Sequence, residues 1–381
     1  MAHKPNVLVC TICRNLENKF DTYYDQLRAA VKHCAGEYNF FFSLYENDST
    51  DNTKQVVQNA DWSFFNDYSI VSETLNVKRY HGNELERVKI LATARNACLE
   101  AKGMYKNMDW ILFVESDIEY TAEDFKKLLI HNNQDVDIFS GIAVTKDTKI
   151  IYDLWATRYS PAERPDAMAT VFDLEPLGVR ELWATFSCLC LYKAEPFQKG
   201  VRFHWMNERF GIHDCDTTVI CENFRQAGYT KIFADYALNP LHPIKNLIAY
   251  AIHPGDGATK LAEFLRKHVR RTDDVVVTND PKNLKTREYT FELHPDEVPA
   301  SMILHDLQCN DGNILKESPS VVFVPIMNVE LGKIGPVHEN GSTRWPNWEP
   351  RLYSRNQTDE SKCYQLNPIG ALSIWRVKSV V

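Results

Sequence analysis

The run WILFVESDIEYTAED, Trp110 to Asp124, constrains the fold more than any other. Its apolar residues Ile111, Leu112, Phe113 and Val114 have strand length and stop abruptly at Glu115-Ser116-Asp117. Helix-start chemistry follows, with Thr121 suited to an N-cap and Glu123 and Asp124 favouring a helix N-terminus. A strand followed by a helix delivers both carboxylates to the carboxyl end of a sheet, where open α/β sheets bind ligands. Two carboxylates set one residue apart can hold a hard divalent cation that keeps open positions for the oxygens of a diphosphate. An ordinary acidic strand-to-helix turn carries the same letters, so the neighbouring segments decide between the two.

With 381 residues the chain is long enough for one large α/β domain plus an appendage. A net charge of -8 provides no field for gathering nucleic acid, which is therefore not an expected partner. Ligand phosphates must then be met locally, by a metal or a few basic groups. The N-terminal apolar run is too short for a signal-peptide core or a membrane span, and no later run reaches spanning length. A cytoplasmic location is expected, or the Golgi lumen if an anchor has been removed. Cys10, Cys98, Cys188 and Cys190 lie within apolar runs and read as small buried hydrophobes. Cys10 and Cys13 form a lone C-x-x-C without a second pair or a histidine at zinc spacing. Sequons occur at Asn47, Asn340 and Asn356.

Strands are expected at Val7–Ile12, Phe40–Tyr45, Asp137–Val144 and Phe186–Tyr192, and from Ile232. Helices are expected at Phe20–Cys34, Glu86–Ala101, 121–131 and Thr217–Ala227, the last closed by Gly228. In the second of these, Val88, Leu91, Ala92, Arg95 and Leu99 fall at helical spacing. Alternating strands and helices predict an α/β fold: a mixed, mainly parallel, Rossmann-like sheet covered on both faces. Residues 147–182 lack periodicity and read as a functional loop or lid, with Asp153, Trp155 and Arg158 placed to cover a ligand. These patterns divide the chain into a catalytic-type domain over 1–250 and a smaller C-terminal α+β module over 251–381. In the module, Leu261–Val269 reads as a helix and Val275–Val277 and Val321–Val324 read as strands.

Several polar groups fall at or near predicted strand ends. Thr11, Cys13 and Arg14 follow the first strand, and Glu46, Asn47 and Asp48 follow the second. Arg95 and Asn96 lie on the long helix, Glu115, Ser116 and Asp117 end the central strand, Asp214 and Asp216 come from HDCD, and His242 is a late, proline-flanked histidine. A carboxylate after an early strand can read base or ribose hydroxyls, an arginine can neutralise phosphate, and an acidic pair can hold a metal that stabilises a diphosphate leaving group. Asp214 or Asp216 can position an acceptor hydroxyl as the catalytic group. Within the acidic run, Glu115 with Asp117 is the expected metal pair, because Glu119 lies further toward the helix. Glu46 as a turn residue, Arg95 as a snorkelling helix residue and Asp216 as a helix cap are the simpler alternatives.

The run GIHDCDTTVICENFRQAGYTKIFADYALNPLHP resembles the distal half of GT-A glycosyltransferases, in which an acidic element opens a helix and a histidine follows the next strand. More specifically, SLYENDSTDNT, RVKILATARNACLEA and IIYDLWATRYS resemble the fungal capsule-associated α-1,3-mannosyltransferases, glycosyltransferase family 69. The resemblance covers about residues 5 to 245. In place of that family's usual Asn-Asp pair the chain has Glu115-Ser116-Asp117. The resemblance implies a GT-A-type fold, a sugar nucleotide donor (GDP-mannose, or else a UDP-hexose), Mn2+ or Mg2+, a glycan or glycoprotein acceptor, and retention of configuration. It also implies roles: Glu46 at the nucleoside, Arg95 and Asn96 at the donor, Asp117 at the metal, Asp214 at the acceptor, and His242 at the metal or diphosphate. Two rivals stand beside it. A nucleotidyltransferase is disfavoured because CTICRNLEN has no glycine-rich phosphate loop. A carbohydrate-binding protein on the same fold is disfavoured by the presence of Asp117, Asp214 and His242.

Overall fold

The structure is a computed structural model that describes residues 4–77, 85–130, 135–146, 151–152, 155–163, 178–242, 248–256, 258–269, 275–279, 289–294, 297–299, 321–330, 333–334, 347–354, 363–365 and 374–377. The chain forms two compact units, one made of residues 1–144, 151–165 and 174–243, the other of 145–150, 166–173 and 244–381.

The first unit runs β1 (Asn6–Cys13), α1 (Phe20–Cys34), β2 (Asn39–Asn47), α2 (Thr53–Asn59), β3 (Asp67–Glu73), α3 (Leu85–Glu100), β4 (Trp110–Val114), α4 (Ala122–Ile130), β5 (Ile138–Gly141), β6 (Val144–Thr145), β7 (Val179–Glu181), β8 (Leu189–Lys193), α5 (Ala194–Gln198), β9 (Met206–Asn207), β10 (Ile212–His213), α6 (Asp216–Gln226), β11 (Ile232–Asp235) and β12 (Leu241–His242). An eight-stranded sheet has the order β3-β2-β1-β4-β8-β5-β11-β7. It is parallel across β3-β2-β1-β4 and between β5 and β11, while β8 runs antiparallel to both its neighbours and β7 runs antiparallel to β11. The expected mixed, mainly parallel α/β sheet is therefore present.

Strand alternation sorts the core. Along β1, Val7 and Val9 join the cluster formed with α1, α2 and α4, while Leu8, Cys10 and Ile12 join the cluster formed with α3, α5 and α6. β4 divides the same way, Leu112 and Val114 to one face and Ile111 and Phe113 to the other. Both faces are thus covered, which is why β1 and β4 read as unbroken apolar runs. On α1 the buried residues Phe20, Tyr23, Leu27, Ala30, Val31 and Cys34 follow the three-and-four spacing of one helical face. At the start of α4 the Thr121 hydroxyl accepts the Asp124 N–H at 3.1 Å and Asp124 Oδ2 accepts the Thr121 N–H at 3.0 Å, a reciprocal cap. The predicted Thr121 cap and the acidic strand-to-helix turn are thus both real. Gly228, at φ 91°, ends α6 as expected.

Two strand expectations change. Asp137–Val144 is two pieces, because the Ile142 and Val144 N–H groups leave the sheet for the carbonyls of Leu238 and Pro240. Phe186–Tyr192 shortens to β8 because Ser187 and Cys188 adopt φ of 48° and 65°, a left-handed turn incompatible with a strand. Cys10, Cys13, Cys34, Cys98, Cys188, Cys190, Cys215 and Cys221 are all buried, in keeping with the reading of the cysteines in apolar runs as small hydrophobes. No helix among the described residues is long and apolar enough to cross a membrane. Asn47 is 7% exposed, so its sequon is shielded in the folded chain. Asn340, Asn356 and Asp153 lie outside the described residues.

The second unit contains β13 (Ile248–Ile252), α7 (Ala258–Val269), β14 (Val275–Val277), β15 (Tyr289–Leu293), β16 (Glu297–Pro299), β17 (Val321–Glu330), β18 (Lys333–Ile334), β19 (Asn347–Ser354), β20 (Cys363–Gln365) and β21 (Ile374–Val377). The strands form one nine-stranded sheet whose path is β14-β13-β15-β19-β17-β21-β16, with β18 and β20 pairing on β17. β13, α7 and β14 make a parallel crossover, and β15 pairs parallel to β13 on its other side.

Candidate functional site

The end of β4 carries the acidic triplet to the rim of the sheet. Glu115 keeps its backbone in register, donating its N–H to Cys188 O at 2.9 Å. Four residues on, Glu119 forms an antiparallel bridge with Leu241, exchanging both backbone hydrogen bonds at 2.8 Å. That bridge brings β12 alongside and sets His242 Nε2 3.2 Å from Asp117 Oδ2. The His242 ring is 2% exposed and stacks on Tyr152 at 3.7 Å between centroids, 9° from parallel. Its Nδ1 is buried and has no hydrogen-bond partner among the described residues. Lys19 Nζ lies 4.0 Å from the same Asp117 oxygen and is half exposed. A carboxylate, an imidazole and an ammonium therefore converge at the carboxyl end of β4.

Behind them lies a buried ion cluster. Arg95 sits on the stripe of α3 occupied by Val88, Ala92 and Leu99, so helical geometry aims it into the protein rather than at solvent. Its Nη2 donates to Glu115 Oε1 at 2.6 Å and its Nε to Asp216 Oδ2 at 2.8 Å, while the guanidinium lies over the Phe186 ring at 4.4 Å. Burial pushes the Glu115 carboxyl up, Arg95 opposes this, and neighbouring Asp117 adds to it. For Arg95 burial acts against the charge, yet Glu115 and Asp216 prevail and hold the guanidinium more firmly protonated than usual. Asp216 is the first residue of α6, after the N-cap Cys215, where a carboxylate also meets the positive end of the helix.

A second buried pair lies one turn of chain away. Asp214 accepts from Arg158 Nη2 at 3.2 Å, from the Cys215 N–H at 2.7 Å and from Asn207 Nδ2 at 3.0 Å. Burial pushes its carboxyl up against the attraction of Arg158 and the Asn207 and Cys215 donors.

The structure thus rearranges several expected roles. Arg95 is a bridge between two carboxylates and not an open phosphate contact, nor does it snorkel, at 5% exposed. Of the expected Glu115–Asp117 pair, Glu115 Oε1 accepts from Arg95, while Asp117 Oδ2 faces His242. Asp214 and Asp216, expected as catalytic groups, are 1% exposed; both Asp214 oxygens and Asp216 Oδ2 accept from internal donors. Arg158, expected at the donor, is the partner of Asp214. Asn96 gives its amide to Phe203, donating from Nδ2 to the carbonyl at 2.9 Å and accepting the N–H at 3.0 Å. Thr11 is fully buried, its hydroxyl donating to Val114 O at 3.0 Å and accepting from Tyr23 at 2.8 Å, so it ties β1 to β4.

Cys13 is 7% exposed, and burial pushes its thiol up. Glu46 is buried and locks the loop after β2, accepting from the Ser49 N–H at 2.8 Å and from the Ser72 hydroxyl. Asn47 donates to Asp48 at 3.1 Å. Arg14 reaches Val77 O at 3.4 Å, and Ser116 is partly exposed on the turn between Glu115 and Asp117. Sequence reasoning missed Lys19, Tyr152 and the Ser187-Cys188 turn. Only tertiary folding brings Lys19 to Asp117.

One consequence is testable at once. Asn96→Ala leaves both Phe203 backbone groups without their partner and is expected to cost about 1–3 kcal/mol in denaturant unfolding, with the donor KM unchanged. A tenfold rise in donor KM at unchanged stability would restore Asn96 to the donor site.

The family model described as cryptococcal mannosyltransferase 1 matches residues 6–223, more than half of the chain. No curated protein matches. Among solved structures, TarS 1-349 of S. aureus is similar at 14% identity, covering 61% of this chain and 58% of that one, with a TM-score of 0.35. The match therefore spans less than two thirds of the TarS chain. Glucosyl-3-phosphoglycerate synthase from Mycobacterium tuberculosis, in complex with Mg2+ and uridine-diphosphate, is similar at 13% identity, covering 75% of this chain and 84% of that one, with a TM-score of 0.35. The same synthase in complex with phosphoglyceric acid is similar at 14% identity over 70% of this chain and 80% of that one, with a TM-score of 0.35.

Proposed function

The chain belongs to the family described as cryptococcal mannosyltransferase 1 and is a glycosyltransferase; from that premise we propose that it moves a hexose, mannose from GDP-mannose, to a hydroxyl of a glycan or glycoprotein with retention of configuration, assisted by Mn2+ or Mg2+. The observation that carries the metal-dependent reading is the meeting of Asp117 and His242 at the carboxyl end of β4. A hard carboxylate oxygen beside a borderline imidazole suits Mn2+ better than an all-nitrogen or thiolate set. Asp117 and His242 would hold the ion, which when bound would withdraw charge from the departing diphosphate.

The chain's own groups do the remainder. Lys19, beside Asp117, offers a second positive charge to diphosphate oxygens. Tyr152 fixes the plane of the His242 ring by stacking on it. Arg95, by clamping Glu115 to Asp216, holds the end of β4 against the start of α6, so Asp117 is presented from a fixed backbone.

Thermal unfolding in the presence of GDP-mannose, UDP-glucose or UDP-galactose, each with and without manganese, tests the reading. A donor near a hundred times its dissociation constant adds about 2.7 kcal/mol, a rise of roughly 5–11 °C for a domain of this size. The expected result is a rise for GDP-mannose with manganese that disappears in Asp117→Asn. A rise for a UDP-sugar instead changes the donor and keeps the site. No metal-dependent rise with any donor overturns the reading.

A further inference from the structure

The second unit carries a chemically distinctive cluster that the proposed transfer does not use. β13 and β15 run parallel with Ala251 opposite Glu292 and Ile252 opposite Leu293. The pairing continues one residue past the β13 end, where the His253 N–H donates to Leu293 O at 2.9 Å. Strand alternation then decides which side chains meet. Ile252 and Leu293 share one face and are fully buried. Glu292, His294 and His253 share the other, at the carboxyl ends of two adjacent parallel strands. The His253 and His294 rings stack at 4.4 Å between centroids, 12° from parallel. His253 Nε2 touches Glu292 Oε1, and one ligand atom from each of the three residues lies within 4.8 Å of the other two.

We propose that His253, Glu292 and His294 form a binding site for a zinc-class divalent cation. Two imidazoles and one carboxylate make one of the three-ligand sets used by zinc sites that keep a fourth position for water or an outside oxygen. Nitrogen-rich sets favour zinc over manganese or magnesium, so this site selects a different metal from the Asp117–His242 pair. Ligands at about 2.0–2.1 Å from a tetrahedral ion stand roughly 3.4 Å apart, and these atoms, already within 4.8 Å of one another, are near that spacing. The groups are also semi-enclosed: the His253 side chain is 27% exposed and that of Glu292 13%. That leaves access for the ion and limits competition from water.

The test is zinc titration of the full chain after chelator stripping, by calorimetry and by competition with a chromogenic chelator. It is run in parallel on Asp117→Asn, so that the other metal candidate is removed. Both proteins are expected to bind one zinc equivalent that Glu292→Gln and His294→Gln each weaken by at least 10–100-fold. If Glu292→Gln fails to fold by circular dichroism, His294→Gln decides alone, and visible absorption of the cobalt-loaded parent chain reads the geometry. Unchanged zinc affinity in a folded variant, or no zinc held by the parent chain at micromolar concentration, overturns the proposal. So does tighter binding of manganese than of zinc.

Discussion

Asp117→Asn is expected to lower sugar transfer by about a thousandfold or more and to leave the unfolding transition within about 1 kcal/mol of the parent. The catalytic half follows from charge. In the proposed metal-dependent reaction, replacing the carboxylate by an amide would remove the one anionic ligand of the Asp117–His242 pair, and with it the hold on the cation proposed to assist departure of the diphosphate. The stability half follows from position. The Asp117 side chain is 29% exposed and Lys19 49% exposed, so their attraction is screened by solvent, and an asparagine oxygen can still meet His242 Nε2, which lies 3.2 Å from Asp117 Oδ2. Transfer assays across a manganese series, beside a denaturant melt, separate the two. Full activity with ordinary cation dependence would remove Asp117 from the metal site. A large loss of stability would make it structural.

Arg95 should behave in the opposite way. Arg95→Ala strands two carboxylates, Asp216 with a 2% exposed side chain and Glu115 with a 22% exposed one, without their shared cation. Removing one member of such a buried set costs about 3–5 kcal/mol. Arg95→Lys is expected to recover only part of this, since an ammonium cannot reach both oxygens with the fixed fork that the guanidinium supplies. Equilibrium urea unfolding of the three proteins gives the measurement. Unchanged stability with a raised donor KM would instead return Arg95 to the phosphate-binding role that its place in the sequence suggests.

The contrast between these residues shows what could be read from the chain. The helical spacing of Val88, Ala92, Arg95 and Leu99 already puts Arg95 on the buried stripe of its helix. What it meets there is decided by Asp216, 121 residues away, through a chain reversal that no local pattern encodes. Likewise the Glu115-Ser116-Asp117 turn is plain in the sequence, but the choice of His242 over Glu115 as the partner of Asp117 depends on the Glu119–Leu241 bridge. Strands with apolar residues on both faces, β1, β2 and β4, were legible. β3 was not, since DYSIVSE lies at the sheet edge with mostly exposed or half-exposed residues and shows little contrast. The Phe186–Cys188 error has a similar source. Phe, Ser and Cys continue an apolar run in composition, while two left-handed residues end it in conformation.

The reversed direction of β8 has a consequence for how such a rim can change. In a wholly parallel sheet only the segments that leave the strands reach the carboxyl edge. Because β8 runs against β4, with Leu189 opposite Val114, the segment that leads into it arrives at that same edge, and Phe186 and Cys188 stand beside Glu115 and Arg95. Beside the acidic turn the rim is therefore supplied from both directions of chain, by the segment following β4 and by the one preceding β8. Insertions or substitutions in the second can reshape this part of the rim while the acidic turn itself stays fixed in length and register.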